Sequence, residues 1–409
     1  MMRTLGWTVA TLLFLSGPLV IAGDFAKEDW PQWRGPNRDG KIAVFDAPET
    51  WPASLIKKWE VVVGAGDATP ALVEGRLYLH TRQGDEEVIL CLDAESGQQI
   101  WATKYPSPPV TGPASRHPGP RSSPAVADGK VVTLGVAGIV SCVDATSGKL
   151  LWQNKDFKGT PRFFTAMSPI VVDGHAILQL GGPDSGTIVA FALATGEIRW
   201  KWEGEAPSYA SPVLLTIGDE KQIVTFTEQS LVGLSAREGK LFWRVPFPAS
   251  GRNYNAATPI VDGQTIYFAG AGRGSRAIRV EKSGDEYVVR ELWTNPDVAP
   301  QFNSPILKDG KLFGLSQRGN FYCLDAQTGK TLWLDDNPYT AFGALLDAGP
   351  VMLAMTERAG LIVFPPSGDG LHPVRKYEVS SAPVYATPVV AGKRFYIKDS
   401  ESLSLWTLP

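Results

Sequence analysis

Cysteine is scarce. Cys91, Cys142 and Cys323 are the only three in 409 residues, too scattered for a disulfide framework, and no Cys-x-x-Cys pair offers a zinc or redox site. Basic residues are not in excess: 39 Lys and Arg against 42 Asp and Glu give a formal charge of −3. That leaves none of the positive field a nucleic-acid binder needs, so nucleic acid is excluded as an expected partner. The four histidines, His80, His117, His175 and His372, fall at unrelated positions and suggest no metal centre. GxSxG, HExxH, P-loop and GxGxxG motifs are missing. The Gly-rich stretch Gly270-Ala-Gly-Arg-Gly-Ser275 joins two apolar runs and opens no helix, so it is a poor phosphate cradle.

Long apolar runs are confined to the start. Arg3 precedes an apolar stretch from Leu5 to Ala22, followed by Gly23 and the charged Asp24, the pattern of a secretory signal peptide over residues 1–23. An uncleaved anchor helix is the alternative, but Gly17 and Pro18 interrupt the stretch. Removing residues 1–23 takes away one Arg and no acid, leaving a charge of −4. No cysteine precedes Cys91, so no lipid-modified N-terminal cysteine is expected. The mature chain is expected to be periplasmic or secreted, monomeric, and without an integral span.

Glycine and proline, by contrast, are abundant: 42 and 32 residues, about 18% of the chain against roughly 12% in average usage. They are placed periodically. Cys91-Leu-Asp-Ala-Glu-Ser-Gly-Gln-Gln-Ile-Trp101, Cys142-Val-Asp-Ala-Thr-Ser-Gly-Lys-Leu-Leu-Trp152 and Cys323-Leu-Asp-Ala-Gln-Thr-Gly-Lys-Thr-Leu-Trp333 are copies of one unit. Weaker copies end at Trp200 and Trp243. In each, Gly precedes Trp by four residues: Gly97/Trp101, Gly148/Trp152, Gly196/Trp200, Gly239/Trp243 and Gly329/Trp333.

A second marker, Ser or Thr before Pro, opens each unit: Thr69-Pro70, Ser123-Pro124, Ser168-Pro169, Ser211-Pro212, Thr258-Pro259, Ser304-Pro305 and Thr387-Pro388. The gaps between the prolines are 54, 45, 43, 47, 46 and 83 residues. The last gap is two periods and hides a degenerate copy between about Ala344 and Val379. Within a unit, apolar runs separated by Asp-Gly and Ser/Thr-Gly turns read as four short strands. Repetition at this period predicts an all-β, eight-bladed β-propeller of four-stranded antiparallel blades. The last unit, Val384 to Pro409, holds only three strands. Lys58-Trp-Glu-Val-Val-Val63 near the front is a spare one, so the N-terminal strand is expected to complete the C-terminal blade and leave no open edge. The expected organisation is a signal peptide over 1–23, a Trp-rich extension over 24–52 and the propeller over 53–409.

These units resemble the PQQ-like β-propeller repeat family, whose blades carry Ala-x-Asp-x-x-Thr-Gly-x-x-x-Trp. The resemblance implies that the Trp of one blade docks on the Gly turn of a neighbour, which gives Trp101, Trp152, Trp200, Trp243 and Trp333 and their glycines structural roles. Two branches matter: quinone-dependent dehydrogenases and non-catalytic scaffolds such as the BamB-type outer-membrane assembly factor. The first holds its quinone with adjacent cysteines, a calcium bound by carboxylate and Asn, and an Asp base. No Cys-Cys pair occurs here, and all three cysteines share one packing slot two residues before the Asp. No catalytic residue, metal or cofactor is therefore expected, and PQQ with Ca²⁺ is the disfavoured alternative, which would make the chain an alcohol or sugar dehydrogenase. The segment Asp29-Trp-Pro-Gln-Trp-Arg-Gly-Pro-Asn-Arg-Asp-Gly40 resembles the opening of exported PQQ-like repeat proteins of planctomycete-type bacteria.

If the tight turns lie at one end of each blade, the longer loops lie at the other, where function on repeat scaffolds concentrates. Three residues before the unit-opening prolines stand Asp67, Arg121, Ala166, Tyr209, Ala256, Phe302 and Tyr385, and a ring brings equivalent positions together at the channel mouth. Arg162, Phe164, Arg252 and Tyr254 lie nearby, and between-strand loops add Arg273, Arg276, Arg318, Glu357 and Arg358. Aromatic and Arg residues dominate protein interfaces and polar-ligand sites. The expected function is thus a non-catalytic scaffold that holds a protein or peptide partner of the cell envelope on this face, with glycan or small-polyol binding in the funnel as a further alternative. Trp30, Trp33, Arg34 and Pro36 are expected to form a cap packed on the propeller surface.

Overall fold

A computed structural model describes residues 25–249, 251, 253–340 and 342–409; the expected signal peptide and Arg252 lie outside them. The described residues form eight four-stranded antiparallel sheets. Seven are built from consecutive strands and span 71–106, 125–154, 170–203, 213–246, 260–295, 306–334 and 343–378 (blades 1 to 7). The degenerate copy is thus a complete blade. Blade 8 takes Val389–Ala391, Arg394–Lys398 and Ser402–Thr407 from the C-terminus and Ile56–Val62 from the N-terminus, in a register running from Ile56↔Thr407 to Val62↔Ser402. The ring is closed as the sequence predicts. Among the described residues a single 3₁₀ turn, Gly112–Ala114, interrupts the β-structure. No helix among the described residues is long and apolar enough to cross a membrane.

Burial follows position in the blade. Inner and middle strands such as Ala71–Val73 and Ser230–Ser235 are buried throughout, because both faces of a blade meet a neighbour and an unbroken apolar run is then favoured over alternation. Outer strands such as Gln99–Pro106 alternate. The hairpin turns need left-handed backbone at two successive residues, which Asp128-Gly129 (φ 49° and 67°) and Asp173-Gly174 (φ 48° and 73°) supply. In the second turn type the Asp carboxylate serves its own loop: Asp93 Oδ1 accepts Ser96 N–H at 2.8 Å and Ser96 Oγ–H at 2.7 Å, and Asp144 and Asp325 repeat the pattern.

Between blades, an indole occupies the space that a missing Cβ leaves. A methyl group at Gly148 would lie 2.5 Å from the Trp101 ring, and Gly196 meets Trp152, Gly239 meets Trp200, Gly329 meets Trp293 and Gly97 meets Trp59 in the same way. The indole N–H then donates to the next blade: Trp101 to Ala145 O at 3.1 Å, Trp152 to Leu193 O at 2.9 Å and Trp200 to Ala236 O at 3.1 Å. Trp333 donates to Ser367 O at 3.0 Å in blade 7. Trp243 departs from the expected docking. It lies over Gly233 of its own blade and donates to Gln222 Oε1 at 2.7 Å, because the Gly284-Asp285 turn of blade 5 stands at the tip of a longer hairpin and meets no indole. The outer strands of blade 5 run on as Gly274–Ser283 and Glu286–Asn295. Trp59 and Trp293, outside the five repeat copies, take docking positions.

The unit-opening Ser and Thr residues form a circuit around the channel. Six of the seven backbone N–H groups donate to the hydroxyl of the next blade: Thr387 to Thr69, Thr69 to Ser123, Ser123 to Ser168, Ser168 to Ser211, Ser211 to Thr258 and Thr258 to Ser304, all at 2.9–3.0 Å; the run is open at blade 7, which lacks the marker. These bonds set the blade spacing at the axis as the indoles do further out.

The Gly148→Ala variant is expected to lose more stability than Gly129→Ala. Both glycines have positive φ, which costs a residue with a side chain about 1–2 kcal/mol, but Gly129 has open space around its Cα. Urea unfolding checks this: equal losses would mean that the Trp101 contact is not restrictive.

Candidate functional site: the axial funnel

The channel does not run through. The segment from Trp30 to Gly40 enters it from the tight-turn face. Trp30 pairs with Leu72 in an antiparallel bridge, and Val126 N–H donates to Pro31 O at 2.8 Å. Arg34 and Arg38 are 4% and 3% exposed and reach different sides of the ring. Arg34 donates to Ser304 O at 2.9 Å and Pro305 O at 2.7 Å in blade 6. Arg38 donates to Pro169 O at 2.8 Å and Ser168 O at 2.9 Å in blade 3. Burial lowers their pKa values to about 10 and about 9, so both remain cationic at neutral pH. Trp33 lies beside both guanidinium groups, 5.5 and 5.9 Å from its ring centroid. The chain then leaves along blade 7, where Ile42 N–H donates to Asp347 O, and blade 8, where Phe45 bridges Gly392. The expected surface cap is therefore an axial plug. The reason is the two arginines, whose fork-shaped donors match the carbonyls that converging inner strands present to the axis.

Above the plug is a cavity of about 390 Å³ with Trp33 in its lining. All seven residues that stand three before a unit-opening proline line it: Asp67, Arg121, Ala166, Tyr209, Ala256, Phe302 and Tyr385. Tyr254 joins them, as do the Thr69, Ser211, Thr258 and Thr387 residues of the hydroxyl circuit. Tyr209, Tyr254 and Phe163 form an edge-to-face cluster with centroids 5.1–6.3 Å apart. Phe302 and Phe342 stack at 4.4 Å and 6°, and Tyr385 stands edge-on to Phe342 and to His117.

Charged groups are few and mostly engaged. His117 Nδ1 and Asp67 Oδ2 are 2.7 Å apart. Tyr385 O–H donates to Glu357 Oε1 at 3.2 Å, and burial together with that carboxylate pushes the phenol up to about 12. Arg121 Nη1 donates to Phe163 O at 2.5 Å, while its buried Nε and Nη2 have no partner. Desolvation lowers its pKa, with Asp67 working against that shift.

The remaining expected residues are dispersed. Arg162 lines a smaller cavity of about 190 Å³ that shares Tyr209 and Tyr254 with the funnel. Phe164, at φ 64°, packs on Val110, Ala114 and Val136. Arg273 is turned inward, donating to Phe247 O at 3.0 Å and Asn255 Oδ1 at 2.6 Å, with Arg276 over the same Phe247 ring. Arg318 and Arg358 are exposed and lie outside the funnel lining.

Phe342, Phe163, His117 and Trp33 are funnel residues that the repeat does not reveal. Phe342 stands where blade 7 lacks its Ser/Thr-Pro marker. His117, Pro113 and Ala114 belong to the insertion that makes the first proline gap 54 residues, and that excess over the later gaps was the available signal.

The donor set does not match a quinone–calcium centre. Among the described residues the lining has one carboxylate, Asp67, and neither Cys nor Asn. Cys91, Cys142 and Cys323 are buried in separate blades, and burial pushes their thiols up to about 11, 12 and 12. Among the described residues no three His, Cys, Asp or Glu side chains are grouped to hold a metal ion.

The family model described as "Outer membrane protein assembly factor BamB" matches residues 38–201 and 85–334. The chain belongs to this family of PQQ-repeat propellers. It is 25% identical over 370 residues to the outer membrane protein assembly factor BamB of Burkholderia pseudomallei, covering 87% of this chain and 86% of that one. It is also 28% identical over 140 residues to the quinohemoprotein alcohol dehydrogenase of Comamonas testosteroni, covering 33% of this chain and 19% of that enzyme. Among solved structures, BamB from Moraxella catarrhalis superposes with a TM-score of 0.66 over 87% of this chain and all of that one. The Comamonas enzyme superposes with 0.70 over 94% and 81%. Both are 14% identical, and the likeness is one of fold.

The plug arginines should matter for stability. Arg38→Met leaves two axial carbonyls unpaired and is expected to cost about 2–4 kcal/mol, against about 0.5 kcal/mol or less for Arg318→Met on the surface. Equal urea midpoints for the two variants would remove the carbonyl bonds as the plug's anchor.

Proposed function

We propose that the protein is an exported, monomeric scaffold without a resident cofactor, holding a protein or peptide partner of the cell envelope on its long-loop face in the manner of its BamB relatives. The observation that supports this most directly is the convergence of seven blades on one aromatic funnel carrying a single arginine with unpartnered donors. Buried aromatic anchors and arginine are the residue types that carry most binding energy at protein interfaces. Family membership supports the same reading, since relatives matched along most of their length are assembly factors.

The similarity to quinohemoprotein dehydrogenases gives a second reading, quinone-dependent oxidation, against which the absence of a fitting donor set in the funnel counts.

Alanine at Arg121, Tyr209 and Tyr385 together is expected to reduce recovery of the co-purifying envelope partner about tenfold or more, with the thermal midpoint as a folding control. Undiminished recovery by the folded variant would remove this face as the docking surface. Added PQQ and Ca²⁺ are expected to leave the wild-type midpoint unchanged. A clear upward shift with alcohol-dependent dye reduction would replace the scaffold reading with the oxidoreductase one.

A further inference from the structure

The funnel has more hydrogen-bond donors than its own acceptors can satisfy. Arg121 spends Nη1 on the Phe163 carbonyl, while Nε and Nη2, which form one edge of the planar guanidinium, are buried without a partner. The hydroxyls of Thr69, Ser211 and Thr258 each accept a backbone N–H from a neighbouring blade. A hydroxyl that accepts in this way still has one O–H to donate, and these three line the cavity. The nearby carboxylates are already engaged, Asp67 by His117 and Glu357 by Tyr385. Such a site favours a ligand that brings acceptors, with no more negative charge than Arg121 can match against Asp67.

We propose that the funnel is a carboxylate-recognition site, in which Arg121 turns its buried Nε–Nη2 edge into the cavity and receives the carboxylate together with the hydroxyls of the circuit, while the aromatic wall receives an attached apolar arm. A carboxylate is planar and offers two oxygens at the spacing of the guanidinium fork. Among the described residues Arg121 is the one Lys or Arg in the lining, and Asp67 stands against it, which suits a monoanion better than a phosphate dianion. The apolar arm fits between the Phe163–Tyr209–Tyr254 cluster and the Phe302–Phe342 stack. A volume of about 390 Å³ lies at the small end of the roughly 300–1,000 Å³ typical of ligand sites, which limits the group held to amino-acid or dipeptide size. The inference rests on the reading of the long-loop face as the binding face and adds the chemistry that face selects.

Calorimetric titration of the full chain with 3-phenylpropionate and with 3-phenylpropionamide tests it. The acid is expected to bind about tenfold or more tighter than the neutral amide, the difference one charge-assisted contact makes. Arg121→Lys keeps the charge but loses the fork and is expected to remove most of that preference. Tyr254→Leu is expected to weaken acid and amide alike with their ratio preserved. If Arg121→Lys does not fold, the acid-to-amide ratio on the wild-type chain decides. Equal affinity for acid and amide, binding of neither, or displacement of the acid by inorganic phosphate at equal concentration would overturn the proposal. N-acetyl-Asp-Phe-amide binding tighter than the free acid would place the carboxylate on a partner chain, and the reverse order would make it a free small molecule; both support the site. Loss of partner capture in an Arg121 variant whose wild type shows no acid preference would leave the scaffold reading standing while overturning this one.

Discussion

The structure depends on one contact repeated around a ring: an indole lying where a glycine has no side chain. A propeller blade has two apolar faces and no stable existence alone, so its distance from the next blade must be fixed by something shorter in range than general burial. The Trp–Gly contact supplies that. The ring stack allows one separation, and the indole N–H, donating to a carbonyl of the next blade, allows one orientation. Where the contact is lost, the substitute is local. Beside Trp243 the long hairpin of blade 5 covers blade 4, with Tyr287 on Phe242 at 4.7 Å. At blade 7, Tyr377 stands near Trp51 and donates to Pro52 O at 2.9 Å, so the N-terminal extension seals that interface.

Fixed blade spacing is what makes the axis a place where chemistry can be assembled. Seven structurally equivalent residues, far apart in sequence, come within one cavity, and carbonyls of the inner strands face the axis below them. Arg34 and Arg38 use those carbonyls to convert a through-channel into a closed-bottomed funnel. Burying two cations is costly, and each has neutral oxygen partners in place of water. The outcome is an axis with its charge spent below and donors unspent above.

How much of this is legible in the sequence depends on whether a residue's place is set by the repeat. Asp67, Arg121, Tyr209 and Tyr385 are found by counting back from a proline, because each blade copies the same backbone path. Ring closure is legible for the same reason: a count of strands shows one missing at the end and one spare at the front. Phe342 is hidden because blade 7 has lost the marker. His117 and Phe163 sit in loops of unequal length, where periodicity carries no information. Trp30, Trp33, Arg34 and Pro36 look like a surface cap because nothing local in the sequence shows that Arg34, and Arg38 after it, find their partners in blades 6 and 3, more than a hundred residues away. Arg273 reads as a loop arginine available for binding, yet Phe247 and Asn255 engage it from the preceding blade.

Closure by Ile56–Val62 also has a temporal side. This strand is among the first parts of the propeller to be synthesised, yet its hydrogen-bonding partner is Ser402–Thr407. At roughly 5–20 residues per second the wait between them is on the order of tens of seconds, during which the strand has no mate and seven blades form an open arc. The molecule therefore has a long vulnerable interval built into its topology, and the strand Ser402–Thr407 acts as a latch whose arrival ends it.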